Sequence, residues 1–168
     1  MHILMCNDDG ILADGLRQLA TYLSQYYRVT VVAPATEQSA KSHALTTEIP
    51  LKLDAYNGED ENPRLYALTG TPSDCMKFCL SYLLADDMPD LVISGINHGF
   101  NLGSDVLYSG TVSAAMESAF YGIPGLALSV ERYSIERGHE MHPFIHELIE
   151  KIYVNGNFKG LLNVNFPL

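Results

Sequence analysis

Short apolar segments alternate with segments of helical periodicity along the chain. Residues 2–6 form an apolar run that ends in polar residues, and residues 28–33 are rich in β-branched side chains and stop at Pro34. Between these runs, apolar residues recur at the spacing of one helix face: Leu16, Leu19, Ala20, Leu23 and Tyr27. This order predicts a β-α-β unit with a tight first turn and with Asp14 as the N-cap of its helix.

The alternation continues through the rest of the chain. Two β-prone stretches, 45–56 and 64–69, flank the acidic turn-forming segment 57–63 and predict a hairpin insertion around 45–69. Further strands are predicted over 90–94, 125–130 and 161–166. Further helices are predicted to begin at Thr71, at Thr111 (ending at Gly122) and at Pro143.

Each of these three helices has an apolar face that we expect to be buried. The expected inward residues are Met76, Cys79, Leu80, Leu83 and Leu84 on the first, Val112, Ala115, Met116, Ala119 and Phe120 on the second, and Phe144, Ile145, Leu148, Ile149 and Ile152 on the third, which is predicted to run to Tyr153.

Strands that alternate with helices predict an α/β fold, with a mostly parallel sheet between two helical layers. Without a repeat or a linker-like segment, residues 1–168 are expected to form a single domain. Ligands of such sheets bind outside the carboxyl ends of the strands. The polar loops 7–10, 34–44 and 95–110 are therefore expected to converge.

Charge and composition narrow the functional classes. The net charge of −10 argues against non-specific nucleic-acid binding, which needs a basic surface. No apolar run approaches the roughly 20 residues of a membrane span, and the first residues lack the basic segment of a signal peptide. The odd number of cysteines (Cys6, Cys75 and Cys79) favours reduced, buried thiols in a cytoplasmic protein.

Two adjacent carboxylates, Asp8 and Asp9, directly follow the first predicted strand. Neighbouring carboxylates repel each other unless a cation lies beside them, and Mg²⁺ or Mn²⁺ prefers oxygen ligands of this kind. A helix cap or a turn would also explain Asp-Asp-Gly. The hydroxyl of Ser39 and the amide of Asn97, in the other two loops, could complete an oxygen-rich site, although each is also an ordinary loop residue.

A glycine- and asparagine-rich segment, 94–103, leads to Ser109-Gly110-Thr111 at the start of a predicted helix. Glycines let the backbone approach a ligand, and a helix start binds phosphate through its free N–H groups. An N-cap by Ser109 or Thr111 is the structural alternative. The segment matches neither a Walker loop nor the Rossmann glycine fingerprint.

Two further groups of residues have structural explanations that we prefer. His139, His142 and His146 lack an evident partner carboxylate for zinc, and the glutamates beside them resemble a solvated face. Cys75 and Cys79 have the spacing of helix neighbours, which favours core packing over redox chemistry.

Several motifs extend from one end of the chain to the other. They are Asn7-Asp8-Asp9-Gly10, Ser39, Gly70-Thr71-Pro72-Ser73-Asp74-Cys75, Ser94-Gly95-Ile96-Asn97 with Gly99, Asn101 and Gly103, Tyr108-Ser109-Gly110-Thr111, and Asn163-Val164-Asn165-Phe166-Pro167. Taken together and in this order, these motifs resemble the SurE family of stationary-phase survival proteins, which are 5′/3′-nucleotidases.

The resemblance implies a Rossmann-like fold and a phosphomonoesterase that uses one divalent cation, Mg²⁺ or Mn²⁺, on nucleoside 5′- or 3′-monophosphates. Some members also act on short polyphosphate or oligonucleotides. The implied metal ligands are Asp8, Asp9, Ser39 and Asn97. The residues expected to contact phosphate or substrate are Gly10, Ser42, Asn101, Ser109, Gly110 and Thr111, and candidates for base recognition are His43, His98 and Tyr108.

Known members continue past the Asn-Val-Asn-Phe-Pro motif with a hairpin arm and a terminal helix that build dimers and tetramers. The resemblance predicts that this arm is absent from residues 1–168. Assembly into a homodimer or tetramer is therefore implied by the family and by no motif within these residues.

Two mechanisms fit the predicted site. We favour attack on phosphorus by a water that Asp8 or Asp9 orients or deprotonates, because both carboxylates are needed as ligands. Direct attack by an aspartate would instead form a phospho-aspartate. The rival functions are a non-catalytic nucleotide- or metal-binding sensor and a sugar-nucleotide transferase, for which a single domain leaves little room.

Overall fold

A seven-stranded sheet forms the centre of the protein, which was characterised as a computed structural model describing residues 1–58, 60–132 and 135–167. Residue 59 of the predicted hairpin turn and residue 168 lie outside the described residues. The strands are β1 (His2–Cys6), β2 (Arg28–Pro34), β3 (Leu53–Ala55), β4 (Arg64–Leu68), β5 (Leu91–His98), β6 (Gly125–Val130) and β7 (Leu161–Phe166).

The sheet is mostly parallel, as predicted. The strand order is β3-β4-β2-β1-β5-β6-β7, and within the described ranges only the β3–β4 pair is antiparallel. β1 lies at the centre, parallel to both β2 and β5. The carboxyl ends of β1, β2 and β5 therefore lie side by side, which brings the loops that follow these strands together.

Helices cover both faces of the sheet. They are α1 (Asp14–Leu23), α2 (Pro72–Phe78), α3 (Gly110–Glu117) and α4 (His142–Ile149), with π-helical turns at Cys79–Leu83 and Glu150–Val154 and 3₁₀ turns at Gly103–Tyr108, Ser118–Tyr121 and Ile135–Met141. None of the helices in the described residues combines the length and the apolar character needed to cross a membrane.

Alternation along β1 shows the three layers directly. Ile3 and Met5 pack in one core with the buried faces of α1 and α4, whereas Leu4 and Cys6 pack in a second core with α2 and part of α3. Successive side chains of a strand point to opposite faces, so a strand that is apolar throughout must be covered on both sides. The predicted α/β three-layer class is confirmed.

The predicted hairpin exists, but it is shorter than expected and belongs to the main sheet. Only 53–55 of the stretch 45–56 form a strand, and β4 pairs in parallel with β2 as well as antiparallel with β3. The preceding residues 45–52 are half-buried or exposed and make no strand. Their β-branched and apolar composition was therefore a misleading signal, because sheet pairing depends on available partners as well as on propensity.

Three expectations about helices were wrong in detail. Ala13 occupies the N-cap of α1 without a side-chain bond, and Asp14 is instead the first helical residue, where its charge is favourable at the positive end of the helix dipole. Ala119 and Phe120 are exposed because a 3₁₀ turn follows α3 and changes the rotation per residue. Phe144 is 51% exposed and meets Phe166 edge-on at the rim of the sheet.

All three cysteines are buried and free, as predicted. Burial raises the pKa of the Cys75 and Cys79 thiols above their usual value, so these groups stay protonated at neutral pH. They contribute to the core that contains α2, and the spacing of Cys75 and Cys79 reflects one helical turn rather than redox chemistry.

We expect acid to destabilise the fold through His142. This residue is buried, packs against the ring of Tyr22, and has its pKa lowered from 6.5 to about 4, mainly by burial. Because the unfolded state binds the proton more readily, the stability is fully present above pH 6.5 and is lost as the pH falls towards 4. Between pH 7.5 and 5 the expected loss from this group is about 2 kcal/mol.

Urea unfolding of the wild type and of His142→Leu at pH 7.5 and 5.0 measures this contribution. The variant is expected to lose less stability than the wild type on acidification, whatever its stability at pH 7.5. An equal loss in the two proteins would show that His142 is not the group responsible.

Candidate metal and phosphate site

The turn after β1 is held by the side chain of Asn7. Its amide donates to the Gly10 carbonyl and accepts from the Gly10 N–H, both at 3.1 Å. Gly10 has φ of +103°, and a Cβ there would lie 3.3 Å from the carbonyl oxygen of Pro34. A glycine is therefore required at this position, and the turn presents Asp8 and Asp9 at the carboxyl edge of the sheet.

Asp8 is buried and held in one orientation from the start of α3. The Thr111 hydroxyl donates to its Oδ1 at 2.6 Å, across 103 residues of sequence. A Cβ on Gly110 would lie 2.9 Å from the Cβ of Asp8, so the glycine lets α3 approach the carboxylate. Burial raises the pKa of Asp8, while the bond from Thr111 acts in the opposite direction.

Asp9 lies beside it with less support. Burial, and then the charge of Asp8, raise the pKa of Asp9 to about 6. Its Oδ2 is buried and has no hydrogen-bond partner among the described residues. A buried carboxylate oxygen without a partner is costly unless a cation or a donor occupies the adjacent space. The pair therefore fits a divalent cation.

Ser39 and Asn97 reach the same region from the loop after β2 and from the end of β5. The Ser39 hydroxyl donates to Glu37 Oε1 at 2.6 Å, and the Asn97 amide nitrogen donates to the Gly99 carbonyl at 2.9 Å. β5 continues to His98 through an irregularity between Ser94 and Asn97, so residues 95–98 belong to the strand and not to the predicted loop. Asn97 is thus placed by the sheet itself.

Two adjoining cavities bring these residues together. A cavity of about 490 Å³ is lined by Asp9, Ala13, Glu37, Ser39, Asn97, His98 and Arg132. A second, of about 280 Å³, is lined by Asp8, Ser39, Ala40, Asn97, His98, Asn101, Asp105, Tyr108 and Ser109. Ser39, Asn97 and His98 line both, so each of the four predicted metal ligands lines at least one of two cavities that share these three residues.

The residues predicted to contact phosphate separate into two groups. Asn101 and Ser109 line the smaller cavity. Gly10, Ser42, Gly110 and Thr111 line neither cavity. Gly10 shapes the turn, Gly110 makes room for Asp8, Thr111 binds Asp8, and the Ser42 hydroxyl donates to the Leu107 carbonyl at 2.8 Å. In this structure, these four residues build the site and do not line it.

Asn101 is fixed by the last strand. Its N–H donates to Asn165 Oδ1 at 2.8 Å, and its carbonyl accepts from Asn163 Nδ2 at 2.8 Å. Its own side-chain nitrogen donates to the Ser129 hydroxyl at 2.9 Å. The Asn-Val-Asn segment of β7 therefore holds the segment between β5 and α3 in place.

Among the candidates for base recognition, His98 and Tyr108 line the site and His43 does not. Sequence reasoning missed Glu37, Asp105 and Arg132, none of which belongs to a recognisable motif. Arg132 lies just after the carboxyl end of β6. The rule that ligands bind beyond the carboxyl ends of strands could therefore have indicated Arg132 as a candidate site residue.

No group of three or more His, Cys, Asp or Glu side chains within 1–58, 60–132 and 135–167 is arranged to hold a metal ion. The zinc interpretation of His139, His142 and His146 therefore gains no support. The predicted oxygen site contains only two such residues, together with a hydroxyl and an amide, which is a donor set suited to Mg²⁺ or Mn²⁺.

Fold and site together define a doubly wound α/β protein with an oxygen-rich, acidic cleft at the carboxyl ends of its parallel strands. The sequence model described as "Survival protein SurE" matches residues 3–168. The chain belongs to the SurE family.

Named relatives and a solved structure agree with this assignment. The "5'-nucleotidase SurE" of Thermoanaerobacter sp. (strain X514) is 50% identical over 168 residues, and that of Synechococcus elongatus is 46% identical over 169 residues. The crystal structure of the SurE protein from Aquifex aeolicus has a TM-score of 0.85 at 38% identity. The matches cover 99% of this chain but only 66%, 65% and 66% of these proteins, respectively.

Proposed function

We propose that this protein is a divalent-metal-dependent phosphomonoesterase that hydrolyses nucleoside 5′-monophosphates, with 3′-monophosphates and short polyphosphate as further candidate substrates. The observation that carries the proposal is the Asp8–Asp9 pair, with an unpartnered buried oxygen, in a cleft shared with Ser39 and Asn97. The relatives named 5'-nucleotidase favour hydrolysis over the sensor hypothesis. The free, buried cysteines support a cytoplasmic location as part of the same proposal.

Asp8, Asp9, Ser39 and Asn97 would hold one Mg²⁺ or Mn²⁺. When bound, the cation supplies Lewis-acid polarisation of the phosphoryl group and lowers the pKa of water. Glu37 Oε1 accepts from the Ser39 hydroxyl and so orients its oxygen. The bond to the Gly99 carbonyl does the same for the Asn97 amide.

The two carboxylates have different roles in this proposal. Asp8 Oδ1 accepts from Thr111, so Asp8 is fixed as a ligand. Asp9 Oδ2 has no hydrogen-bond partner in the part of the chain that the structure describes, and it is the atom that would accept hydrogen from the attacking water. Trapping a phospho-enzyme would contradict this assignment and favour nucleophilic attack by an aspartate.

The phosphate would face side chains that line the two cavities. Asn101 and Ser109, the N-cap of α3, line the cavity beside Asp8, while His98 and Arg132 line the cavity beside Asp9. Among the described residues that line the two cavities, Arg132 is the one lysine or arginine. In a protein with a net charge of −10, it would provide much of the local attraction for an anionic substrate.

Arg132→Gln is expected to raise KM for a nucleoside monophosphate about tenfold and to change kcat much less, because one charge-assisted contact is worth roughly 1.5–3 kcal/mol. Arg28→Gln is the matched control, since Arg28 begins β2 at the other end of the sheet and pairs with Asp87. Steady-state kinetics that show the same KM in wild type and Arg132→Gln would exclude this role.

The function is tested by released phosphate. The protein is incubated with a panel of nucleoside 5′- and 3′-monophosphates and an aryl phosphate, in EDTA, Mg²⁺ or Mn²⁺. Release that depends on metal and is strongest with nucleotides is the expected result. Binding of nucleotide and Mn²⁺ without any release would overturn the proposed hydrolysis and favour a sensor.

A further inference from the structure

The segment that carries Ser39 is held to the rest of the protein just beyond it, at residues 42–46. The Ser42 hydroxyl donates to the Leu107 carbonyl at 2.8 Å, and His43 contacts Glu117. The Ala44 carbonyl accepts from the Thr71 hydroxyl at 2.7 Å. We call residues 35–46 the Ser39 segment.

The next attachment comes from α2. Asp74 accepts from the N–H and the hydroxyl of Thr46 at 2.9 and 2.7 Å, while it also completes the capping box with Thr71. A Cβ on Gly70 would lie 2.8 Å from Asp74 Oδ2, so the glycine leaves room for this carboxylate. The Gly-Thr-Pro-Ser-Asp motif thus both starts α2 and holds the end of the Ser39 segment.

Glu117 is buried within this arrangement. The residue is 6% exposed at the end of α3, and its Oε2 lies 2.5 Å from Nε2 of His43. No other hydrogen bond to the Glu117 carboxylate is found among the described residues. Moving His43 away would leave the Glu117 carboxylate buried and unpaired, which is costly. The contact therefore restricts the position of His43.

The backbone of the segment is also constrained. Ala40 and Ser42 have φ of +57° and +52°, which is uncommon for residues with a side chain. Such conformations cost of order 1 kcal/mol or more each and persist only where surrounding contacts impose them. Ala40 itself lines the site. The contacts at 42–46 are therefore positioned to impose the conformation of residues 39–42.

We propose that His43 and Glu117 form a positioning pair that seats the Ser39 segment against α3 and so places the Ser39 hydroxyl at the metal site. The inference rests on the proposed function, because it assigns these residues to the same site. Neither residue lines the cavities, so the pair acts through Ser39 and not on the substrate. Groups that orient metal ligands typically change metal affinity by 10- to 100-fold when they are removed.

The test compares the wild type with His43→Ala, His43→Gln, Glu117→Gln and the double variant His43→Ala/Glu117→Gln. Mn²⁺ affinity is measured by calorimetric titration, melting temperature in EDTA by circular dichroism, and phosphate release by steady-state kinetics. His146→Ala is the matched control, because His146 pairs with Glu150 at 3.9 Å on the opposite layer of the fold.

His43→Ala is expected to raise the Mn²⁺ dissociation constant about tenfold, with His43→Gln partly restoring affinity through its amide donor. The double variant is expected to bind Mn²⁺ no more weakly than His43→Ala alone, since both changes remove one interaction. His146→Ala is expected to bind as the wild type does. A structural role alone would lower the melting temperature of the His43 variants and leave their Mn²⁺ affinity unchanged.

An Mn²⁺ affinity within twofold of the wild type in His43→Ala would overturn the positioning role, and so would additive effects in the double variant. In either case, a wild type that binds Mn²⁺ and releases phosphate would leave the proposed function standing. A wild type that neither binds the metal nor releases phosphate would overturn both proposals.

Discussion

Replacing Asp9 with asparagine is expected to lower phosphate release by at least about a thousandfold, equivalent to roughly 4 kcal/mol of transition-state stabilisation. The substitution removes a charge from the proposed metal site and the oxygen that would accept hydrogen from water. Asp54→Asn is the control, since Asp54 is exposed on β3 and pairs with Lys52. Initial rates at saturating Mn²⁺ measure the effect.

Folding of Asp9→Asn can be checked separately, because the substitution is expected to lower activity without lowering the stability of the metal-free protein. The pKa of Asp9 is raised to about 6 in the folded, metal-free protein, above its ordinary value of 3.8. The stability that this group contributes is present below pH 3.8 and is lost as the pH rises through 6. At pH 7 in EDTA the variant should therefore melt no lower than the wild type. Near-normal activity in a folded Asp9→Asn would contradict the proposed site.

Gly110→Ala is expected to reduce phosphate release by about a hundredfold, a loss of roughly 3 kcal/mol. Glycine in a helix is normally less stable than alanine by about 1 kcal/mol, so an ordinary site would gain stability from this change. Here the added Cβ would lie 2.9 Å from Asp8 Cβ and 3.1 Å from its Oδ2. Either Asp8 or the start of α3 must move, and the bond from Thr111 would be disturbed.

Gly58→Ala provides the comparison, since a Cβ there would meet only the Glu61 side chain at 3.8 Å. Phosphate release and Mn²⁺ titration on the two variants separate the effect of the close contact with Asp8 from the effect of replacing any glycine with alanine. Equal activity in the two would show that Asp8 and α3 accommodate a methyl group, and that their close contact is not needed for function.

Periodicity predicted most elements well. The bounds of β1, β6 and β7 are those read from the apolar runs, and α1 has the expected buried face. These elements share one property: their side chains are buried in the two cores that cover the sheet. Burial on a regular face is the physical origin of the pattern, so the pattern is reliable where burial is complete.

Prediction failed where burial changes along an element. Phe120 is apolar and at helical spacing from Met116, yet a change to 3₁₀ geometry turns it to solvent. β5 continues beyond Ser94 because its later residues pair with β6 after an irregularity, and nothing in the glycine-rich composition indicates such pairing. Both features depend on neighbouring elements that a local pattern does not contain.

In the candidate site, too, the sequence predicted what depends on residue type and missed what depends on contacts between distant segments. The adjacent carboxylates Asp8 and Asp9 were visible as a motif, since their chemistry is carried by the residue types alone. The hydrogen bond from Thr111 to Asp8 was not predicted, because it depends on a 2.6 Å approach between distant segments. Arg132 and Glu37 were missed for the same reason: their importance comes from position in the cleft.

The contact between Thr111 and Asp8 also bears on how the molecule acquires its chemistry during folding. It closes a loop of 103 residues, and the intervening chain supplies β2, β4, α2 and β5. Such a distant contact becomes favourable only after the loop-closure entropy has been offset by the packing of those elements. The orientation of Asp8 therefore depends on the docking of α3 beside β1, and a partly folded form in which these two segments are apart lacks the Thr111–Asp8 bond.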